Sequence, residues 1–77
     1  MISARQLKAA RALLGISQSQ LAERAGVGVA TIRRLETSDE VRGQAATLAK
    51  LQIALTEEGI IFITRDAAFG EGVRLRS

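Results

Sequence analysis

The sequence of 77 residues predicts a mostly α fold, four short helices followed by a C-terminal β-hairpin. Three observations predict it. Apolar residues recur at helical spacing in four stretches before residue 58. Ser3 and Ser17 each stand just ahead of such a stretch with a glutamine three residues on, the pattern of a helix-starting capping box. After Gly59 the pattern switches to an unbroken β-prone run, Ile60-Ile61-Phe62-Ile63. Residues 1–58 are therefore expected to form a helical domain and residues 59–77 a hairpin that serves as a dimerisation element. A core of this size is marginal unless it is helped by packing or by a second copy.

The first helix is expected from about Ala4 to Leu14, with Leu7, Ala10 and Leu14 on its inner face and Gly15 closing it. Ser17 caps the second, about Gln18 to Ala25, in which Leu21, Ala22 and Ala25 share a side. Gly26 follows. It can enter the left-handed backbone region without a side-chain penalty, end one helix and turn steeply into the next. The third helix, about Val29 to Glu36 or Thr37, must turn Ile32 and Leu35 inward. That leaves Val29, Ala30, Arg33 and Arg34 outside and Thr31 between the faces. Two helices joined across so short a turn make a helix-turn-helix.

Thr37 to Gly43 is polar and turn-rich, and its Arg42 is a candidate phosphate contact. The fourth helix, about Gln44 to Glu58, offers Leu48, Leu51 and Leu55 to the core and carries a second stripe, Ala46, Ala49 and Ile53, that needs a cover. In the tail, Ile60 to Thr64 and the alternating Val73-Arg74-Leu75-Arg76 flank a turn-rich segment. An exposed Ile-Ile-Phe-Ile edge invites association. Ile53, Ile60, Ile61, Phe62, Ile63, Val73 and Leu75 are thus the expected dimer interface, whether the strands pair within one chain or between two.

Composition narrows the function. With no cysteine and no histidine, disulfides, thiol chemistry and the usual zinc sites are excluded. Asp39 and Glu40 are adjacent carboxylates without histidine partners, a surface loop and not a metal site. No nucleophile is paired with a base, no glycine loop cradles a phosphate, and two aromatic residues build no pocket, so neither catalysis nor a cofactor is expected. No apolar run approaches the ~20 residues of a membrane span, and Lys8 and Arg11 interrupt the N-terminus, so a cytoplasmic protein is expected. Residues 1–37 carry a net charge of +4 and residues 38–77 a net charge of −1. The positive half coincides with the helix-turn-helix and suits a polyanion.

The run Ser17 to Glu36 resembles the helix-turn-helix of the Cro/cI-type (XRE family) transcriptional regulators. The matching positions are Gln18, Leu21 with Ala22, Ala25 with Gly26 and Val27, Thr31 with Ile32, and Leu35 with Glu36, within a resemblance that spans about Leu7 to Leu55. The resemblance implies a four-helix, lambda-repressor-like domain. It implies a sequence-specific reader of double-stranded DNA, a repressor or autoregulator, that binds as a homodimer with its third helix in the major groove. It also implies a structural salt bridge between Arg11 and Glu36 and a phosphate contact by Gln18, joined by Thr31 and Gly28 at the start of the third helix. Gly28 departs from the family, which often has Ser or Thr there.

In such a helix Arg34 is the first candidate for a base, since a guanidinium binds guanine O6 and N7 together. Val29 and Ala30 suit thymine methyl groups, and Arg33 suits a base or a phosphate. The competing expectation is an antitoxin-like interaction module whose hydrophobic tail binds a partner protein.

Overall fold

The computed structural model describes residues 2–37 and 45–77. The order of elements is α1 (Ala4–Leu14), α2 (Gln18–Ala25), α3 (Val29–Thr37), α4 (Ala45–Glu57), β1 (Ile60–Ile63) and β2 (Gly72–Leu75). The four helices and the hairpin stand where the sequence puts them. Gln44 and Arg42 lie outside the described residues.

Both capping boxes form. The Ser3 hydroxyl accepts the Gln6 N–H at 3.1 Å while the Gln6 carboxamide oxygen accepts the Ser3 N–H at 3.0 Å, and Ser17 with Gln20 repeats this at 3.0 and 2.8 Å. Each box satisfies two of the backbone donors that a helix start leaves orphaned. α1 and α2 both end on a left-handed glycine, Gly15 at φ 67° and Gly26 at φ 70°. At Gly26 this conformation lets Val27 N–H bond back to Ala22 O at 3.1 Å and α3 start three residues later.

The core sits where the helices converge, with Leu7 from α1, Leu21 from α2, Ile32 and Leu35 from α3, and Leu48, Leu51 and Leu55 from α4. Ile2 and Ile16, which flank α1 outside any helical pattern, join it. So does Ile60. At 1 % exposure it is as buried as the helical leucines, and Phe62 and Val73 pack half-buried beside it. These three were expected at an interface with a second subunit; burial against α1 and α4 commits them to the chain's own core.

β1 and β2 pair antiparallel within the chain, Ile60 opposite Leu75 and Ile63 opposite Gly72. Period-two alternation turns Ile60, Phe62 and Val73 toward the helices and Ile61 and Ile63 away from them, at 42 and 41 % exposure. The connecting loop is braced by Asp66, whose carboxylate accepts the N–H groups of Ala68 and Phe69 at 2.8 and 2.7 Å. These two bonds hold its pKa below the ordinary value. The Ala46, Ala49 and Ile53 stripe is not covered by the tail and remains on the surface.

Gln6 locks the hairpin to α1. Its side chain is 5 % exposed, and beyond the capping box its Nε2 donates to Ile63 O at 3.1 Å and to Gly72 O at 3.0 Å. The carboxamide thus holds a helix start with its oxygen and the loop end of the ladder with its nitrogen. The Ser3 hydroxyl adds a bond to Glu71 at 2.8 Å. Gln6→Glu keeps the acceptor and turns the donor into a carboxylate facing two carbonyls, so it should cost about 1 to 3 kcal/mol in urea unfolding, the cost of a broken buried hydrogen-bond pair. Gln20→Glu makes the same change in an exposed capping box and should stay within about 0.5 kcal/mol of the parent.

Candidate nucleic-acid interface

α3 has nine residues, too few to hold a helix by propensity, so its position is set by what its inner face touches. Ile32 and Leu35 enter the core, and the remaining spacing leaves Ala30, Arg33, Arg34 and Thr37 together on the solvent side. Neither Arg33 nor Arg34 bonds its guanidinium to any described residue. Thr37 Oγ1 donates to Arg33 O at 3.0 Å and so binds the last turn of the helix to itself. Val29 was expected outside with them. It is instead half-buried against the core, because the first residue of α3 lies in the crease with α2.

Glu36 is the one charged residue of α3 that points inward, 4 % exposed. Its Oε2 accepts Arg11 Nε at 2.8 Å and its Oε1 accepts Arg11 Nη2 at 2.8 Å, a two-pronged pair. Oε1 accepts a third bond, from Gln18 Nε2 at 3.0 Å. Arg11 Nη1 in turn donates to Ile16 O at 3.0 Å. One carboxylate therefore ties the end of α3 to the last turn of α1 and the first residue of α2.

Burial works against the Glu36 charge. The bonds from Arg11 and Gln18 and the charges of Arg11 and Lys8 overcome it and hold the carboxyl below the ordinary 4.5. The same bond raises the Arg11 guanidinium above its usual value against the opposing effect of burial.

Gln18 was expected at a phosphate. The structure engages one of its amide donors with Glu36, a contact that sequence spacing does not reveal because 18 residues separate the two. Gly28 and Thr31 sit together at the start of α3, where Gly28 O accepts the N–H groups of Thr31 and Ile32 at 3.1 and 3.3 Å. A Cβ at Gly28 would meet nothing closer than Thr31 Oγ1 at 3.8 Å, so the Ser or Thr usual in such domains would fit. Arg24 pairs with Glu58 at 3.1 Å and clips α2 to the end of α4, an exposed contact of small energetic weight. The expected Arg42 contact lies outside the described residues.

Two helices crossing at a left-handed glycine, the second presenting arginines outward and anchored by its terminal glutamate, are the arrangement of a DNA reader. A helix-turn-helix family model matches residues 7–55, almost two thirds of the chain. The chain belongs to the Cro/cI-type (XRE) helix-turn-helix family. No curated protein sequence matches it. As an XRE-type domain it is a DNA-binding regulator. No described helix is long and apolar enough to cross a membrane, and no group of three metal-ligating side chains occurs among the described residues.

Arg11→Ala should destabilise the domain by about 3 kcal/mol in denaturant unfolding, the lower end for a broken buried pair, because the guanidinium is 21 % exposed. The stability that the depressed Glu36 pKa contributes is present above its ordinary 4.5 and lost as pH falls through the lower folded value. The unfolding free energies of wild type and Glu36→Gln should accordingly converge on acidification through that range, followed by urea titration.

Proposed function

We propose that this XRE-family chain is a sequence-specific repressor or autoregulator, acting in the cytoplasm where its DNA lies, that binds as a homodimer with α3 in the major groove. The observation that carries the reading is the face Ala30, Arg33 and Arg34, exposed on a helix whose opposite face is clamped by Glu36. A rigid helix with two exposed guanidinium groups that bond to no described residue can enter a groove about 12 Å wide and meet guanine edges in pairs of hydrogen bonds. Arg34 is the first base reader, Arg33 reads a base or holds a phosphate, and Ala30 packs on a thymine methyl. Val29, half-buried, contributes at most an edge to that apolar contact.

The phosphate side is built at the start of α2 and α3. An amide has two N–H donors, and Gln18 spends one on Glu36, leaving the second for a phosphate beside the N-terminus of α2. A phosphate held by Gln18 would be joined through Glu36 to the recognition helix. Thr31 and the backbone at Gly28 complete that line. Two copies would meet half-sites about 34 Å apart, one turn of DNA, or a multiple of it.

Selection of bound sequences from a random DNA pool at two salt concentrations tests this. Enrichment of a two-fold symmetric site is expected, with affinity falling steeply as salt rises. Arg34→Ala should relax one position of each half-site at a cost of about 1 to 3 kcal/mol. An equal loss on every sequence would make Arg34 a phosphate contact, and no enrichment at all would overturn sequence-specific reading.

A further inference from the structure

The hairpin has two edges, and one of them is closed. Arg76 N–H donates to Gly59 O at 2.8 Å, one step beyond the pair Ile60 and Leu75. Bonded and non-bonded pairs alternate along an antiparallel ladder, so Ile60 and Phe62 turn their backbone away from β2, and Val73 and Leu75 turn theirs away from β1. Ile60, at 1 % exposure, leaves no room for a further strand. The β2 edge differs. Leu75 is 38 % exposed, and Val73 borders an open hollow with Arg5 and Ala9 of α1 and with Glu71. Among the described residues no backbone bond from outside the ladder reaches Val73 or Leu75.

The acids of the hairpin are engaged within the chain, and the arginines around its β2 edge are not. Asp66 spends its carboxylate on the N–H groups of Ala68 and Phe69, and Glu71 accepts from the Ser3 hydroxyl. Arg5, Arg74 and Arg76 are exposed, and their guanidinium groups bond to no described residue. These cations do not share the face of α3. The hairpin packs on α1 and α4, whereas α3 packs on α1 and α2. On α1 itself, Gln6, turned to the hairpin, and Arg11, turned to Glu36, stand about 140° apart around the helix axis. The β2 edge and the arginines of α3 thus look in different directions.

We propose that the β2 edge, with the hollow beside α1, takes an extended segment of another protein in which acidic and apolar side chains alternate. The segment adds a third strand to the hairpin and bonds the outward amides and carbonyls of Val73 and Leu75. Period-two alternation sends one set of its side chains to the outer sheet face beside Arg74 and Arg76, where carboxylates complement them. The other set turns under the edge into the hollow at Ala9 and Val73, with Arg5 at its rim. A second copy of β2 on this edge would lay arginine beside arginine, so the edge selects an acidic strand over its own kind.

The probe is a short labelled peptide in which glutamate and valine alternate, followed by fluorescence anisotropy and by amide hydrogen exchange. The peptide should bind, and the Val73 and Leu75 amides should exchange at least tenfold more slowly in the complex. Arg74→Glu combined with Arg76→Glu, both at exposed positions, should keep the helical circular dichroism and weaken binding at least tenfold. A peptide with lysine in place of glutamate should restore it. The same variant should bind the selected DNA within threefold of wild type at about 0.15 M salt, where charges are screened beyond about 8 Å. Absence of binding, equal binding of a peptide with its glutamates and valines in separate blocks, or protection away from β2 overturns the strand addition. So does protection of Val73 and Leu75 that grows with protein concentration and needs no peptide, which places a second copy on the edge. A variant that loses its DNA and keeps the peptide assigns the arginines to DNA and overturns the proposal as well.

Discussion

The Glu36 carboxylate is the constraint on which the rest of the reading surface depends. A nine-residue helix has little stability of its own, and the two apolar residues it sinks into the core would tolerate some rotation about its axis. Three hydrogen bonds to one buried carboxylate do not. Arg11 grips it in a plane and Gln18 approaches one of its oxygens from the neighbouring helix, so the azimuth of α3, and with it the direction of Arg33 and Arg34, is set by donors on α1 and α2. A buried charge is costly when any of its partners is missing. That cost makes the orientation discriminating, because rotating α3 would strand the carboxylate.

The two Ser-x-x-Gln sequences show how one local device serves two ends. At Ser17 and Gln20 the box is on the surface and does no more than start α2. At Ser3 and Gln6 the same atoms are buried under the hairpin, and the amide nitrogen, idle in the other box, reaches two strand carbonyls. A glutamate would serve as well in the first case and poorly in the second. Packing Ile60 into the helical core and bonding Gln6 to the ladder make the tail a structural part of the domain.

Much of this was legible from the sequence because it rests on local rules. Helix starts at Ser3 and Ser17, stops at Gly15 and Gly26, the inward leucines of α4 and the switch to strand after Gly59 follow from caps, period and backbone freedom, each of which acts within a few residues. The Arg11 and Glu36 pair was within reach through the family pattern alone. The Gln18 bond to Glu36, the second use of Gln6, the Arg24 clip to Glu58 and the core roles of Ile2 and Ile16 were not. Each joins elements distant in the chain or lies outside any periodic stretch. Val29 misled for a related reason. Helical spacing assigns it to the outer face, but the first turn of α3 sits in the crease with α2, and a crease buries what a free helix would expose.

By itself, then, the sequence determined the elements, their boundaries, the charge carried by the helix-turn-helix and the arginines of α3, because propensity, capping and alternation are properties of neighbouring residues. The tertiary structure decided which apolar residues of the tail were consumed and which were left. Ile60, Phe62 and Val73 alternate with Ile61 and Ile63 in a pattern that is the same whichever face is buried. Only the docking of the hairpin on α1 and α4 chose a face, since burial is a property of what lies above a residue and not of its place in the chain.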